Sequence, residues 1–158
     1  LIYPGMGAGD GPFEDLLAKN ARELTKQRSF QDVMPGPSVS FNGILSNENF
    51  TAFGTSSLPP DTVGDVGPNH YVQSANPGVF RVFNKTGTPL TALAFISNLF
   101  AGLPASSPCR NQNDGDPIVN YDPLADRWLL SQFAVSGETE GQCIAVSRTG
   151  HPTGWYYA

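Results

Sequence analysis

Long apolar runs are absent from this sequence of 158 residues, and charged side chains are scarce. Because a helix needs about 20 consecutive apolar residues to cross a bilayer, the sequence predicts no membrane span. Charged residues make up 15% of the chain, against about 25% in ordinary globular proteins, and the net charge is −5. A nucleic-acid-binding protein must neutralise phosphate groups, so this charge balance argues against that class of function.

Cysteine and histidine are rare as well, with two residues of each type. A disulfide between Cys109 and Cys143 would close a loop of about 35 residues and stabilise the fold by about 3–4 kcal/mol. The alternative is a pair of buried thiols in a cytosolic protein. No C-x-x-C motif or histidine pair accompanies them to indicate a metal site. We interpret His70 and His151 as solvated turn residues rather than general bases.

Turn-forming residues are abundant instead. The 17 glycines and 14 prolines make up about a fifth of the chain, against about 12% in ordinary proteins. Since turns use Gly and Pro whereas long exposed helices use Lys and Glu, the composition predicts an all-β fold with many short strands. The low lysine content and the cysteine pair favour an extracellular or cell-surface location.

The stretch Asp116–Trp128 (D-P-I-V-N-Y-D-P-L-A-D-R-W) contains the unit from which such a fold is built. Its β-branched residues predict a strand. Asp122 and Pro123 predict a tight turn, because aspartate accepts hydrogen bonds from the backbone N–H groups just ahead of it and proline presets φ. Trp128 opens the next apolar run and can pack across a sheet face.

A similar unit occurs earlier in the chain, so the sequence predicts an internal repeat. Asp61–Tyr71 aligns with Asp116–Trp128, and Phe80–Pro89 aligns with Cys143–Pro152. The aligned segments lie about 55 and about 63 residues apart, and repeats of about this length with a few short strands are typical of β-propeller blades lengthened by loops. The alternative is that two unrelated hairpins resemble each other by chance. The repeat predicts an all-β fold with about two propeller-type blades.

The chain is predicted to have three parts. Residues 1–30 form a leader with an amphipathic helix, because apolar residues recur at helical spacing from Phe13 to Leu24. Residues 31–58 are interpreted as an extended linker with one or two edge strands, and residues 59–158 as incomplete propeller-type blades. Two blades cannot close a propeller, which needs at least about four. We therefore expect the partners to be the remaining blades of a longer chain or copies of this one.

Three long segments carry a resemblance to a known family. They are P-P-D-T-V-G-D-V-G-P-N-H-Y-V-Q (Pro59–Gln73), N-D-G-D-P-I-V-N-Y-D-P-L-A-D-R-W-L-L-S-Q-F-A-V (Asn113–Val135) and C-I-A-V-S-R-T-G-H-P-T-G-W-Y-Y (Cys143–Tyr157). With them the chain resembles a family of large secreted bacterial proteins of propeller type. The turn Tyr121–Trp128 also resembles the Y-D-P turn of Kelch-type blades, although N-D-G-D stands in place of the Kelch diglycine. The resemblance implies an extracellular, multi-blade protein and supplies no catalytic residues.

Oxygen-bearing side chains form two clusters that are candidates for a metal site. One cluster is Asp61 with Asp65, and the other is Asn113, Asp114 and Asp116. Ca²⁺ prefers about six to eight oxygen ligands, and the N-D-G-D run combines carboxylates with a sharp turn. If the repeat holds, Asp61 and Asp116 are equivalent and could share one calcium ion. The alternative is that these side chains accept hydrogen bonds from backbone amides of their own turns.

No G-x-S-x-G, H-E-x-x-H or catalytic cysteine motif is present, which favours a role other than catalysis. The sequence predicts a secreted or cell-surface β-propeller segment that serves binding, adhesion or extracellular assembly, with carbohydrate or a surface protein as partner. The alternative is a propeller-type polysaccharide hydrolase or lyase, with Asp65, Asp116 and Asp122 as channel-mouth carboxylates. A third interpretation is a structural subunit whose residues 1–58 reach onto a neighbour.

Overall fold

The computed structural model describes residues 18–22, 36–135 and 140–157. The chain divides into two compact units, Leu1–Pro37 and Ser38–Ala158. In the first unit residues 18–22 are helical, and the rest of the predicted leader helix lies outside the described residues. No helix in the described part of the chain is long and apolar enough to cross a membrane.

The first sheet of the second unit, sheet A, is an antiparallel meander in which the strands lie in chain order. Its strands are β1 (Val63–Val66), β2 (His70–Ala75), β3 (Val79–Asn84) and β4 (Ala94–Phe95). The run V-F-R-V-F in β3 alternates as a strand does, and a turn follows it. Asn84 Oδ1 accepts the backbone N–H groups of Thr86 and Thr88 at 3.0 and 2.8 Å, which holds this turn in place.

The second sheet, sheet B, is also an antiparallel meander with its strands in chain order. Its strands are β5 (Ile118–Asp122), β6 (Arg127–Ala134), β7 (Gly141–Ser147) and β8 (Trp155–Tyr157). The turn between β5 and β6 forms as its sequence predicted. Asp122 Oδ1 accepts the backbone N–H groups of Leu124 and Ala125 at 2.8 and 3.0 Å. The second unit is therefore all-β in its broad class.

The two sheets begin in the same way. Asp61 and Asp116 each stand two residues before the first strand of their sheet, and both adopt a positive φ, 38° and 48°. Few residues other than glycine adopt this backbone conformation, and aspartate is one of those that tolerate it.

Strand pairing corrects one detail of the sequence alignment. With Tyr71 matched to Trp128, the ladders match Phe80 to Ile144 rather than to Cys143. The Thr-Gly-x-Pro segments after β3 and β7 still align as their sequences do. The connection from β7 to its turn is therefore shorter than the one from β3 to its turn. A sequence alignment without a gap cannot detect this difference.

Sheets A and B pack face to face, and the facing side chains form the core. The core residues on these two faces are Val72, Phe80 and Val82 from sheet A and Val119, Trp128, Leu130, Ala134, Cys143 and Ala145 from sheet B. Trp128 is fully buried, with its ring 5.0 Å from that of Tyr121 and its Nε1 donating to the Gly150 carbonyl at 3.0 Å. This confirms that Trp128 packs across a sheet face.

The segment before sheet A differs from the predicted extended linker. Ser46–Phe53 is a helix, and residues 36–58 contain no strand. The Leu45 N–H donates to Glu48 Oε2 at 3.0 Å at the start of the helix, and Gly54 ends it with a φ of 70°. These local end interactions favour a helix where the loose apolar alternation suggested strands.

This segment, Ser38–Phe53, covers the face of sheet A that points away from sheet B, and we call it the covering segment. Its contacts with sheet A are Phe41 with Phe83, Ile44 with Gln73, and Glu48 with Arg81. The Glu48 carboxylate lies 2.8 Å from the Arg81 guanidinium. Burial acts to raise the pKa of Glu48, but hydrogen bonds from Arg81 and from the Leu45 N–H outweigh it and lower the pKa. The covering segment therefore packs as part of the second unit.

The connection between the sheets contains a 3₁₀ helix, Ile96–Phe100, and a short helix, Pro108–Asn111. The predicted disulfide is present, with Cys109 and Cys143 joined at an S–S distance of 2.05 Å. It ties the short helix of the connection to β7 in the middle of sheet B.

Candidate functional site

Two of the predicted calcium ligands, Asp61 and Asp116, meet at one residue, Asn76. The Asn76 side chain donates to Asp61 Oδ2 at 2.7 Å and accepts the Asp116 backbone N–H at 3.0 Å. A single amide therefore joins the starts of the two sheets. The sequence pattern did not identify Asn76, because an Asn-Pro-Gly turn looks the same whether or not its side chain reaches another element.

Asp65, the second member of the first cluster, lies apart from this corner on β1. Its Oδ2 accepts the backbone N–H of Tyr121 in β5 at 2.7 Å, and its Oδ1 accepts the N–H of Val66 at 2.7 Å. Both β1 and β5 are edge strands, so the N–H of Tyr121 has no ladder partner on that side. The carboxylate supplies that partner and connects sheet A with sheet B.

The second cluster is spread along the entry to sheet B. Asn113 Oδ1 accepts the N–H of Ser97 at 3.0 Å and lies 3.2 Å from the buried amide of Gln132, which donates to it. Asp114 Oδ2 accepts the N–H of Val135 at 2.6 Å. The five predicted ligands therefore occupy three separate places. Asp65, Asn113 and Asp114 accept backbone N–H groups there, whereas Asp61 accepts the side-chain amide of Asn76.

Within residues 18–22, 36–135 and 140–157, no group of three or more His, Cys, Asp or Glu side chains is placed to hold a metal ion. For Asp65, Asn113 and Asp114 the hydrogen bonds fit the alternative in which these side chains satisfy backbone amides. A calcium ion shared at Asp61 and Asp116 stays a prediction, and it requires rearrangement around Asn76.

The two histidines contact each other between the sheets, which their turn-like sequence contexts did not predict. His70 begins β2 and is only 9% exposed, whereas His151 is exposed in the turn after β7. Their ring centroids lie 4.2 Å apart in an edge-to-face arrangement. Burial, and then the neighbouring charge of His151, lowers the pKa of His70. The interpretation as a solvated turn residue is correct for His151 and wrong for His70.

A groove of about 670 Å³ lies between the covering segment and sheet A, and we call it the Tyr71 groove. Its apolar wall is formed by Tyr71 and Phe41, whose ring centroids lie 5.9 Å apart in a T-shaped pair. The Tyr71 ring also lies directly over Gly64, where any side chain would collide with it. Burial raises the pKa of Tyr71, so its hydroxyl stays neutral and can both donate and accept hydrogen bonds.

The edge of the Tyr71 groove is polar. Asn84 and Lys85 lie along it, and Gln73 lies at its base. The Lys85 ammonium donates to the Gly67 carbonyl at 2.8 Å, which keeps the positive charge close to the opening. Sequence reasoning missed the groove because Phe41 belongs to a segment read as a linker, and only the packing of that segment creates the second wall.

The calcium prediction is tested by chelation. A site shared by Asp61 and Asp116 predicts that EGTA lowers the thermal midpoint, that added Ca²⁺ restores it, and that Asp61→Asn removes the difference. The same midpoint with and without chelator would contradict the site and leave these carboxylates with hydrogen-bonding roles only.

The burial of His70 predicts a pH-dependent stability. Because its pKa is lower in the folded protein than in the unfolded chain, the unfolded chain binds the proton first. The free energy of unfolding should therefore fall as the pH drops below about 6.5, and the fall should level off below the folded pKa. Urea unfolding at steps of about half a pH unit between pH 5 and 8 measures this dependence. His70→Gln should flatten the plot of unfolding free energy against pH. An equal slope in the wild type and the variant would contradict the assignment.

Comparison with protein-family models, with curated proteins and with solved structures finds no match to this chain. The resemblance to secreted propeller-type proteins therefore remains a prediction from the sequence.

Proposed function

We propose that this chain is a segment of a secreted or cell-surface β-propeller-type protein and that it acts as a binding or extracellular assembly module. The architecture supports this proposal, because two four-stranded meanders follow one another in the chain and pack face to face. Successive blades of a propeller have this arrangement. The matching aspartates with positive φ before each sheet support a repeat.

The disulfide supports an extracellular location. Disulfides persist in oxidising compartments and are rare in the cytosol, and the Cys109–Cys143 bridge is formed in this fold. Its chain separation of 34 residues places its stabilising effect at about 3–4 kcal/mol.

The Tyr71 groove is the single observation that carries the binding function. Its volume falls within the usual range of ligand sites, about 300–1,000 Å³. An aromatic wall beside amide and ammonium groups suits a saccharide, whose ring has apolar C–H faces and a rim of hydroxyl groups. The groove is therefore proposed to bind carbohydrate, which fits adhesion to a glycan-bearing surface.

The polysaccharide hydrolase or lyase remains the alternative proposal. It needs two carboxylates positioned about 5–9 Å apart around a glycosidic bond. Asp65 accepts the N–H of Tyr121, and Asp122 accepts those of Leu124 and Ala125, so both carboxylates already have structural partners. No observation favours catalysis over binding.

A glycan array tests the proposed function. The wild-type protein should bind a defined set of saccharides, and Tyr71→Leu and Lys85→Gln should each weaken binding about tenfold or more, which corresponds to about 1.4 kcal/mol. Leu124→Ala is the matched control, since Leu124 is 97% exposed and lies outside the groove. Circular dichroism and the thermal midpoint confirm that each variant is folded.

Equal binding by all variants, or no binding by the wild type, would contradict the groove as a carbohydrate site. Release of reducing sugar from any polymer by the same preparation would support the hydrolase instead.

A further inference from the structure

No segment among residues 36–135 and 140–157 packs over the face of sheet B that points away from sheet A, and this face carries two largely apolar rows. Two rows of side chains run across β5, β6 and β7 on the face away from sheet A, and they are Ile118, Ser131 and Ile144, then Asn120, Leu129 and Val146. Ile118 is 46% exposed, and Phe133, farther along β6 on the same face, is 40% exposed. We call this surface the outer face of sheet B.

Sheet A has the same two rows on the face that packs against sheet B. Read across β1, β2 and β3, they are Val63, Ser74 and Phe80, then Asp65, Val72 and Val82. Position by position, the outer face of sheet B repeats this chemistry: a β-branched residue, serine and an apolar residue, then a carboxyl or carboxamide followed by two aliphatic residues. In sheet A, Ser74, Val72 and Val82 are completely buried by the contact with sheet B.

The polar position in these rows has a defined task in sheet A. Asp65 accepts the backbone N–H of Tyr121, an edge-strand amide of the next sheet, at 2.7 Å. Asn120 stands at the corresponding position of sheet B, and its side-chain oxygen can accept the same type of hydrogen bond. The outer face thus carries both the apolar rows and the polar anchor of the contact that sheet A makes.

We infer that the outer face of sheet B is the docking surface for a third four-stranded sheet of the same pattern. This inference rests on the proposed propeller-type architecture and identifies the surface and the partner through which it continues. The incoming sheet presents a face like that of sheet B toward sheet A, centred on a large aromatic residue in the place of Trp128. Asn120 accepts the edge amide of its first strand.

A second copy of this chain does not offer the matching surface. The face of sheet B that receives the rows of sheet A is already buried inside each copy, with Trp128 and Leu130 fully covered. The corresponding face of sheet A is occupied by the covering segment through Phe41, Ile44 and Glu48. The occupant is therefore a further sheet rather than another copy.

A chain extended by one sheet tests the inference. A second copy of residues 96–157 is joined after Tyr157, so that the added sheet brings its own connection and its own disulfide. The extended chain should melt in one transition at a higher midpoint than the original. Ile144→Lys in the original sheet should split this melt into two transitions and remove the rise in the midpoint.

The matched comparisons separate docking from simple loss of stability. In the unextended chain Ile144→Lys should lower the midpoint by less than it does in the extended chain, because Ile144 is only partly buried there. Leu124→Lys should leave the extended chain unchanged. Asn120→Asp should keep the higher midpoint, and Asn120→Leu should lower it.

Two independent transitions in the extended chain, with no effect of Ile144→Lys, would overturn the inference. Dimerisation of the unextended chain that Ile144→Lys abolishes would also overturn it, because the face would then belong to a second copy. Either result leaves carbohydrate binding by the Tyr71 groove intact, since that site lies on the opposite side of sheet A.

If the extended chain precipitates, photo-cross-linking of the natural protein in the cells that produce it tests the docking surface instead. A photoreactive residue at position 144 should link to a neighbouring β-sheet, and one at position 124 should not. The absence of a link from position 144, or a link to a different class of molecule, would overturn the inference.

Discussion

The structure depends on one contact, the packing of sheet A on sheet B with the hydrogen bond from the Tyr121 N–H to Asp65. Each sheet alone is a small antiparallel meander with an apolar face that needs covering, and such sheets have little stability by themselves. Burial of the apolar rows does not fix how the two sheets are placed relative to each other. The Asp65 carboxylate does, because it must lie within hydrogen-bonding distance of one edge amide. A hydrogen bond to a charged group contributes about 1.5–3 kcal/mol, enough to favour one relative placement of the sheets over its neighbours.

The same contact explains where the Tyr71 groove and the outer face of sheet B lie. Once one face of sheet A is buried against sheet B, its other face is available to the covering segment, and Phe41 and Tyr71 form the groove between them. On the far side of sheet B no described segment plays the covering role. The outer face of sheet A is therefore covered and carries a ligand-sized groove, whereas the outer face of sheet B has the chemistry of an internal interface and no described segment over it.

The parts of the fold that depend on local chemistry could be predicted from the sequence. Asp122 and Pro123 specify their turn through neighbouring backbone groups, and the alternating residues of β3 specify a strand through their own pattern. The disulfide was predictable because two cysteines at that separation allow one pairing. Trp128 could be assigned to the core because a large aromatic residue at the start of an apolar strand has few other places to go.

The parts that depend on contacts between distant residues could not be predicted. Asp61 and Asp65 are carboxylates close together in sequence, but Asp61 meets Asn76 whereas Asp65 meets the edge amide of Tyr121, and neither partner is near them in the chain. His70 is buried beside the turn that carries His151, a contact that its own sequence neighbourhood does not indicate. The helix Ser46–Phe53 was missed because its apolar positions follow neither period clearly, and its end interactions decide the outcome.

Amide hydrogen exchange at Tyr121 tests the central contact most directly. This edge-strand N–H should be protected in the wild type and should exchange about tenfold faster or more in Asp65→Leu, which corresponds to a loss of about 1.4 kcal/mol or more. The amides in the middle of β6, which are paired on both sides, should change less. A Tyr121 amide that exchanges at the same rate in both proteins would contradict the role of Asp65 in joining the two sheets.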